Sequence, residues 1–176
     1  ATFVGADRIG PVATYALTPS SALVRGDHAL AQCTGGLVLR LEDDAPREGP
    51  RAIFDVDIFN PCWTWPQATL DGISGVAVTV GQIPYNFQLA GDAKSIVPRP
   101  KPSTPHGELL VKLDDCKNPP FAKIPLDAAL ANPTLTTLAA SWPPVAGSHD
   151  LCFEFATDGR DPLWTIDRVR LVRTPQ

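Results

Sequence analysis

Residues 150–155 read DLCFEF, and this stretch decides the fold because apolar residues occupy every second position of it. Successive side chains of a β-strand point to opposite faces of the sheet, so a period of two marks a strand with one buried face. Leu151, Phe153 and Phe155 are expected on the buried face, with the residues between them on the other. The stretch therefore predicts a half-buried strand.

Similar short apolar segments recur along the chain, separated by residues that favour turns. Nineteen prolines and thirteen glycines interrupt helices repeatedly, because neither residue suits a helix interior. One short helix is predicted, in PLDAALANP (residues 125–133), where Asp127 is placed to cap the first turn. Two amphipathic sheets must bury their apolar faces against each other. We therefore predict an all-β fold, an antiparallel β-sandwich with at most one short helix. The predicted strands are residues 37–41, 53–58, 76–80, 108–114, 134–139, 150–155 and 164–172.

The domain organisation follows from length and patterning. A chain of 176 residues suits one domain, because a single core serves roughly 100–200 residues. We divide it into an N-terminal segment, residues 1–28, and a β-sandwich module, residues 29–176. The N-terminal segment is expected to be an edge strand or the remnant of a preceding domain, since the absence of methionine indicates that the chain begins inside a longer precursor. The proline-rich residues 94–107 are expected to form an extended connection between strands.

Charge and hydropathy argue against two classes of partner. The net charge is −4, and lysine and arginine residues are scattered along the chain. Nucleic acid is therefore not an expected partner, because binding it usually requires a basic stripe or patch. The sequence also lacks a run of about 18 apolar residues, so no membrane partner is expected.

Four cysteines, Cys33, Cys62, Cys116 and Cys152, are too widely spaced for the CxxC pairs of zinc sites. An even number at long spacing is typical of two disulfides in a periplasmic or secreted protein, and four buried thiols in a cytosolic protein are the alternative. Four cysteines can pair in three ways. Cys116 lies at the end of one predicted strand, and Cys152 lies near the start of another. Antiparallel pairing of these two strands would bring the sulfurs of Cys116 and Cys152 together. This favours Cys116–Cys152 and Cys33–Cys62.

Catalytic motifs are absent from the sequence, including the GxSxG, P-loop, GxGxxG, HExxH and EF-hand patterns. Acidic residues cluster at 42–44 and at 114–115, and paired carboxylates can hydrolyse glycosides. Each cluster borders a turn, however, where carboxylates are simply solvated. We predict that the chain is not an enzyme. An autonomous glycoside hydrolase that uses Asp114, Asp115 or Asp161 is the least favoured alternative.

Tryptophans stand out among the aromatic residues. Trp63 and Trp65 belong to FNPCWTWPQ (residues 59–67), predicted as a turn stiffened by proline, and Trp164 also follows turn-forming residues. An exposed indole can stack on the apolar face of a sugar ring, whereas a buried one belongs to the core. The sequence leaves both interpretations open. The candidate carbohydrate-binding residues are these three tryptophans with Tyr85, Asn86, Gln88, Arg160 and Asp161, whose polar groups could bind sugar hydroxyls.

The end of the chain carries a recognisable order of residues. Gly147, His149 and the alternating apolar residues of the next strand are followed by Gly159 and then by the Ile166-Asp167 pair. This order resembles the end of family 6 carbohydrate-binding modules and their galactose-binding-like relatives. The resemblance implies a galactose-binding-like jelly roll that binds carbohydrate. It also implies that Asp167 is a ligand of a structural calcium ion.

A broader similarity covers roughly residues 30–172 and includes the blocks LDGISGVAVTVGQIPYNFQL and HDLCFEFATDGRDPLW. These blocks resemble the C-terminal region of certain bacterial β-N-acetylhexosaminidases of glycoside hydrolase family 20. The Asp-Glu pair that carries catalysis in that family is missing from this sequence. The resemblance implies an exported, non-catalytic module appended to a glycan-processing enzyme. Its partners would be N-acetylglucosamine-type glycans and the catalytic domain of the same polypeptide. A purely structural sandwich that supports the catalytic domain is the alternative.

Overall fold

The computed structural model describes residues 23–43 and 46–173. Their strands form two antiparallel sheets and a separate hairpin, with strand orders β1-β11-β6-β9, β2-β5-β10-β7-β8 and β3-β4. The predicted all-β antiparallel sandwich is therefore confirmed. The strands are β1 (Val24–Gly26), β2 (Ala31–Gln32), β3 (Val38–Glu42), β4 (Ile53–Asp57), β5 (Cys62–Thr69), β6 (Ile73–Ile83), β7 (Glu108–Leu113), β8 (Ala122–Pro125), β9 (Thr136–Ser141), β10 (Ser148–Ala156) and β11 (Leu163–Arg173).

Helical structure in the described residues is short. One α-helix, α1, spans Asp127–Leu130, and 3-10 turns span Asp27–Ala29 and Ala90–Ser95. The helix was predicted at this place, but its cap was not predicted correctly. Asp127 lies inside the helix and makes no capping bond. Its carboxylate instead lies 2.8 Å from the ring of His106.

The strand β5 corrects the prediction of a turn at residues 59–67. Pro66 lies within the strand and is exposed, and Gln67 takes a left-handed φ of 53°. The neighbouring strand shifts register between His149 and Leu151 opposite this point. The backbone N–H of Gln67 donates to the carboxylate of Asp150, 2.8 Å away. A local irregularity thus accommodates the proline without ending the strand.

Aromatic rings bridge the two sheets at the centre of the core. Trp63 of β5 meets Phe155 of β10 edge-on at a centroid distance of 6.0 Å. Phe155 in turn stacks on Trp164 of β11, in the opposite sheet, also at 6.0 Å. The indole N–H of Trp63 donates to the carbonyl of Asp55, so its polar atom is paired although it is buried.

The hairpin of β3 and β4 contributes to this core through β4. Phe54 is fully buried and its ring lies against β6 at Gly81. A Cβ atom at Gly81 would lie 2.4 Å from the Cζ atom of Phe54, closer than two carbons can approach. The glycine therefore makes room for the ring.

Two disulfides, Cys33–Cys62 and Cys116–Cys152, confirm the predicted pairing, and none of the four cysteines is free. β7 and β10 are indeed antiparallel neighbours. The two disulfides touch each other, because the sulfurs of Cys33 and Cys116 and those of Cys62 and Cys152 lie 3.7 Å apart. Disulfides fit a secreted or extracellular protein. None of the helices described is long and apolar enough to cross a membrane.

The start of the described chain belongs to the sandwich. β1 pairs with β11 at one edge of the four-stranded sheet. The carboxylate of Asp27 accepts the backbone N–H of Asp55 at 2.8 Å, which ties the following turn to the hairpin. Residues 1–22 lie outside the described residues, and the division into an N-terminal segment, residues 1–28, and a module, residues 29–176, stays a prediction.

Candidate functional site

Three connections meet at one end of the sandwich, which we call the loop end. They are residues 58–61 between β4 and β5, residues 84–107 between β6 and β7, and residues 157–162 between β10 and β11. Strand register brings them together, because Ile83 pairs with Leu163 and Glu108 pairs with Ala156. A backbone hydrogen bond of 3.0 Å from Val97 to Phe59 joins two of these connections.

The three tryptophans predicted to stack on sugars are not at this surface. Trp63, Trp65 and Trp164 expose 0%, 2% and 2% of their surface, respectively. Trp63 and Trp65 alternate with Cys62 and Thr64, and the period of two turns both indoles into the core. A ring that is covered on both faces cannot stack on a ligand. The core interpretation of these residues is therefore correct, and their assignment as stacking residues is not.

The other predicted carbohydrate-binding residues lie in the connections of the loop end. The backbone N–H of Tyr85 donates to the carboxylate of Asp161 at 3.0 Å. The guanidinium of Arg160 lies 5.8 Å from the centroid of the Tyr85 ring, close enough for a cation–π contact. Asn86 and Gln88 are exposed on the same connection as Tyr85. The structure thus brings Tyr85, Arg160 and Asp161 together.

Arg99 is a residue of the loop end that the sequence prediction missed. Its Nη1 atom donates to the hydroxyl of Thr157 at 2.7 Å and to the carbonyl of Gly159 at 2.9 Å. Burial, and then repulsion from Arg160, lowers the pKa of Arg99 from 12.5 to about 10. Arg99 therefore keeps its charge at neutral pH beside a second cation. A signal was present in the sequence, where Arg99 and Lys101 alternate with prolines.

Arg160 is held by the other connections. It donates to the carbonyl of Val97 at 3.0 Å through Nη2 and, at 3.4 Å, to the carbonyl of Ile58 through Nη1. Both oxygens are neutral. The two arginines therefore tie the loop end together without cancelling its positive charge.

A cleft of about 580 Å³ opens between two of these connections. This size lies within the range of small-molecule sites. The lining combines three cations and one carboxylate with prolines, a hydroxyl and backbone groups. The lining residues are Ile96, Pro98, Arg99, Pro100, Lys101, Thr157, Asp158, Gly159 and Arg160.

A second groove, of about 370 Å³, lies on the outer face of the four-stranded sheet. Its floor includes Thr79 and Thr137, whose hydroxyl oxygens are 2.9 Å apart, and Arg168 and Arg170 line it as well. The residues that line it include no aromatic ring. It offers charge and hydroxyls but no stacking surface.

Asp114 and Asp161, two of the acidic residues considered for hydrolysis, lie at opposite ends of the sandwich. Asp114 follows β7 and lies 3.0 Å from the ring of His149, near the start of β10, whereas Asp161 lies beyond the end of β10. The seven residues from Asp150 to Ala156, six steps of about 3.3 Å, alone span about 20 Å. Glycosidases place their two carboxyl groups within about 10 Å of each other, so Asp114 and Asp161 cannot flank one glycosidic bond.

The ring of His149 is held from both sides. Its Nδ1 atom faces the carboxylate of Asp114, and its Nε2 atom lies 3.1 Å from the carbonyl of Ala146. The hydrogen bond to Asp114, followed by the one to Ala146, raises the pKa of His149. Two acceptors favour the doubly protonated imidazolium. This arrangement supports the turn before β10.

The role of Asp167 as a calcium ligand stays a prediction, and its carboxylate is already engaged by a neighbouring cation. The residue occupies a bulge of β11, and its carboxylate accepts a hydrogen bond of 2.7 Å from Arg168. In residues 23–43 and 46–173, the group of close potential ligands is the four cysteines, and no cluster of three or more acidic or histidine ligands includes Asp167. Calcium takes six to eight oxygen ligands. The four sulfurs are held in disulfides and are not free to bind metal.

No protein-family model and no curated protein sequence matches the chain. Solved structures match it in fold. A family 6 carbohydrate-binding module from Clostridium cellulolyticum in complex with xylose superposes with a TM-score of 0.56 at 14% identity, over 86% of this chain and 98% of that one. The module CsCBM6-3 from Clostridium stercorarium in complex with cellobiose gives 0.54 at 12% identity, over 87% and 95%. The module CBM6cm-2 from Cellvibrio mixtus lichenase 5A in complex with cellotriose gives 0.52 at 13% identity, over 86% and 97%. The chain therefore has the β-sandwich fold of family 6 carbohydrate-binding modules.

Proposed function

We propose that the chain is a non-catalytic carbohydrate-binding module that binds sugar at the loop end. The observation that carries this proposal is its fold, shared with modules that were solved with xylose, cellobiose and cellotriose. The cleft at the loop end supports it, because sugars are bound in concave sites by a few polar groups and apolar walls.

The burial of the three tryptophans changes the expected mode of binding. Tyr85 is half-buried and offers the aromatic surface of the loop end, while Asn86, Gln88, Arg160 and Asp161 offer amide, guanidinium and carboxylate groups for hydroxyls. Binding then relies more on hydrogen bonds than on stacking. Because such groups are also well solvated in the free protein, we expect dissociation constants that are micromolar or weaker.

The setting of the module is the second part of the proposal. We infer that it is appended to a glycan-processing enzyme, with a β-N-acetylhexosaminidase as the first candidate and N-acetylglucosamine-type glycans as candidate ligands. The sequence resemblance to hexosaminidase C-terminal regions supports this inference. The two disulfides support a periplasmic or secreted location. Catalysis would belong to the other domain of that polypeptide.

A structural role beside a catalytic domain is the second candidate. It is favoured by the burial of the three tryptophans and by apolar side chains exposed around the hairpin of β3 and β4. Leu37, Val38 and Ile53 are 45%, 43% and 46% exposed. Large apolar side chains that gather on one surface element are typical of an interface. A neighbouring domain that covers the hairpin would explain them.

Calorimetric titration of the chain separates these two functions. The ligands are xylo-, cello- and N-acetylglucosamine oligosaccharides at millimolar concentration. We expect weak binding of at least one series, weakened further when Asn86 and Gln88 are both replaced by alanine. Lys117→Ala serves as a control because Lys117 is exposed just beyond β7, away from the loop end. Absence of heat and of NMR shifts with every glycan would reject the binding function and favour the structural one.

A chromogenic glycoside assay tests the non-catalytic part of the proposal. The separation of Asp114 and Asp161 leads us to expect no turnover above the uncatalysed rate. Turnover that disappears in an Asp161→Asn variant would show that the chain is a hydrolase.

A further inference from the structure

The three cations of the loop-end cleft, Arg99, Lys101 and Arg160, take part in no ion pair among the described residues. They line the cleft together with one exposed carboxylate, that of Asp158. The two arginines are hydrogen-bonded to neutral oxygens alone. Two neighbouring guanidinium groups repel each other, so this arrangement is stabilised when an anion joins them.

One edge of the Arg99 guanidinium has no hydrogen-bond partner among the described atoms. Its Nη1 atom is held by Thr157 and Gly159. Its Nε and Nη2 atoms are buried and find no hydrogen-bond partner among the described protein atoms. These two nitrogens form the edge that donates two parallel hydrogen bonds to one carboxylate or sulfate group. A buried donor without a partner costs free energy, which a bound acceptor would offset.

The hydroxyl of Tyr85 adds a third unpaired group. It is also buried without a partner among the described atoms, and Tyr85 is near enough to Arg99 to influence its pKa. Two nitrogens and one hydroxyl oxygen that lack partners therefore lie in one region of the loop end. Buried polar groups are paired in the great majority of proteins, so a cluster of unpaired ones points to a ligand that completes it.

The size of the cleft argues for more than a free ion. At about 580 Å³ it is far larger than a sulfate or carboxylate group. Pro98 and Pro100 supply apolar walls beside the cations, and such walls suit the C–H faces of a sugar ring. The lining therefore combines a site for an anion with a surface for a ring.

We propose that the loop-end cleft binds an acidic saccharide, with the carboxylate or sulfate group of the sugar held between Arg99 and Arg160. Lys101 lies at the rim and attracts the ligand, and the prolines contact the sugar ring. The proposal rests on the carbohydrate-binding function inferred above and names its ligand class. Because the free edge of Arg99 is buried, binding requires the side chains that cover it to change rotamer, as side chains at binding sites commonly do.

Matched pairs of ligands test this proposal by calorimetry. The first pair is trigalacturonate and its carboxyl-reduced neutral form, and the second is a sulfated galactan oligosaccharide and its desulfated form. Sodium sulfate is titrated alone as the free anion. The proteins are the unaltered chain, Arg160→Gln, Lys101→Gln, and Lys117→Gln as a charge-matched control at a distance from the cleft.

We expect at least one acidic oligosaccharide to bind roughly 10-fold or more tightly than its neutral partner. A preference in the first pair would show that the bound group is a carboxylate, and a preference in the second pair would show that it is a sulfate. Salt should weaken this binding. Arg160→Gln should remove the preference, Lys101→Gln should reduce it and Lys117→Gln should leave it unchanged. Lys101 is exposed, so its variant remains informative if Arg160→Gln fails to fold.

Other outcomes would overturn the proposal in distinguishable ways. Equal binding of neutral and acidic sugars would reject the acidic ligand and leave the carbohydrate-binding function standing. A preference that Arg160→Gln and Lys101→Gln do not change would place the acidic ligand elsewhere. Sulfate binding as tightly as the sulfated sugar would show a site for free anions. Failure of all sugars to bind would reject both the ligand class and the carbohydrate-binding function.

Discussion

Replacing Glu108 by glutamine perturbs the turn that leads from the loop end into β7. Glu108 is 1% exposed. One of its carboxylate oxygens accepts the backbone N–H and the hydroxyl of Ser103, at 2.8 and 2.7 Å. The other accepts the same two groups of Thr104, at 2.9 and 2.7 Å. A glutamine keeps one oxygen acceptor and presents an NH₂ group to donors in place of the other.

The magnitude follows from the acidity of this carboxyl group. Burial by itself raises the pKa of Glu108, but the hydrogen bonds from Thr104 and Ser103 outweigh it and lower the pKa from 4.5 to about 2. At ~1.4 kcal/mol for each pKa unit, the ionised group stabilises the fold by about 3 kcal/mol. Because the folded-state pKa is depressed, this contribution is present above pH 4.5 and is lost as the pH falls towards 2.

Urea unfolding at several pH values between 2.5 and 7 measures this contribution. We expect Glu108→Gln to lower the free energy of unfolding by about 3 kcal/mol at pH 7, with a difference that shrinks as the pH falls below 4.5. Glu48→Gln is the control, since Glu48 is exposed. A difference below ~1 kcal/mol at pH 7, or one that stays constant down to pH 2.5, would refute the reasoning.

Three further predictions concern the core, a histidine and the disulfides. Trp63→Ala should lower the free energy of unfolding by ~3–5 kcal/mol, because Trp63 is fully buried; a loss under ~1 kcal/mol would mean that the ring is not in the core. The pKa of His149, followed by NMR, should lie above 6.5 and should fall in Asp114→Asn. Because the folded-state pKa is raised, the protonated ring stabilises the fold below pH 6.5, and this stabilisation is lost as the pH rises through the folded-state pKa. An unchanged pKa of His149 in the variant would contradict the contact with Asp114. Cys62→Ser frees the thiol of Cys33 in contact with the other disulfide, and thiolate exchange should then produce disulfides that contain Cys33. Peptide mapping that finds the second disulfide intact and Cys33 wholly free would contradict that packing.

The residues of the loop end were predicted only in part from the sequence. Tyr85, Arg160 and Asp161 were predicted from residue type, and strand register brings them together. Arg99 was missed, because its importance depends on its burial and on the nearness of Arg160. These two arginines are 61 positions apart in the sequence. No local sequence pattern shows that two residues so far apart along the chain lie close together in space.

The strands show the same division. Segments with a clean period of two, such as β7 and β10, were predicted from sequence because alternation is a local property of the chain. The sequence does not predict β1, β2 and β8, because they are too short to show a period, or β5, because it contains a proline. These strands form because neighbouring strands offer unpaired backbone groups to them.

The sequence by itself determined the all-β class and most of the strands, because alternation and turn residues are local properties of the chain. It favoured one pairing of the cysteines, which the antiparallel neighbours β7 and β10 then decided. Only the tertiary structure decided whether the tryptophans are exposed or buried. Within one strand, a period of two places Trp63 and Trp65 on the same face, but it does not say whether that face meets water or another sheet. Phe155 packs against Trp63, Trp164 of the opposite sheet stacks on Phe155, and Trp65 is buried beside Trp63, so this face is the core. The candidate site thereby moves from the tryptophans to the charged and polar groups of the loop end.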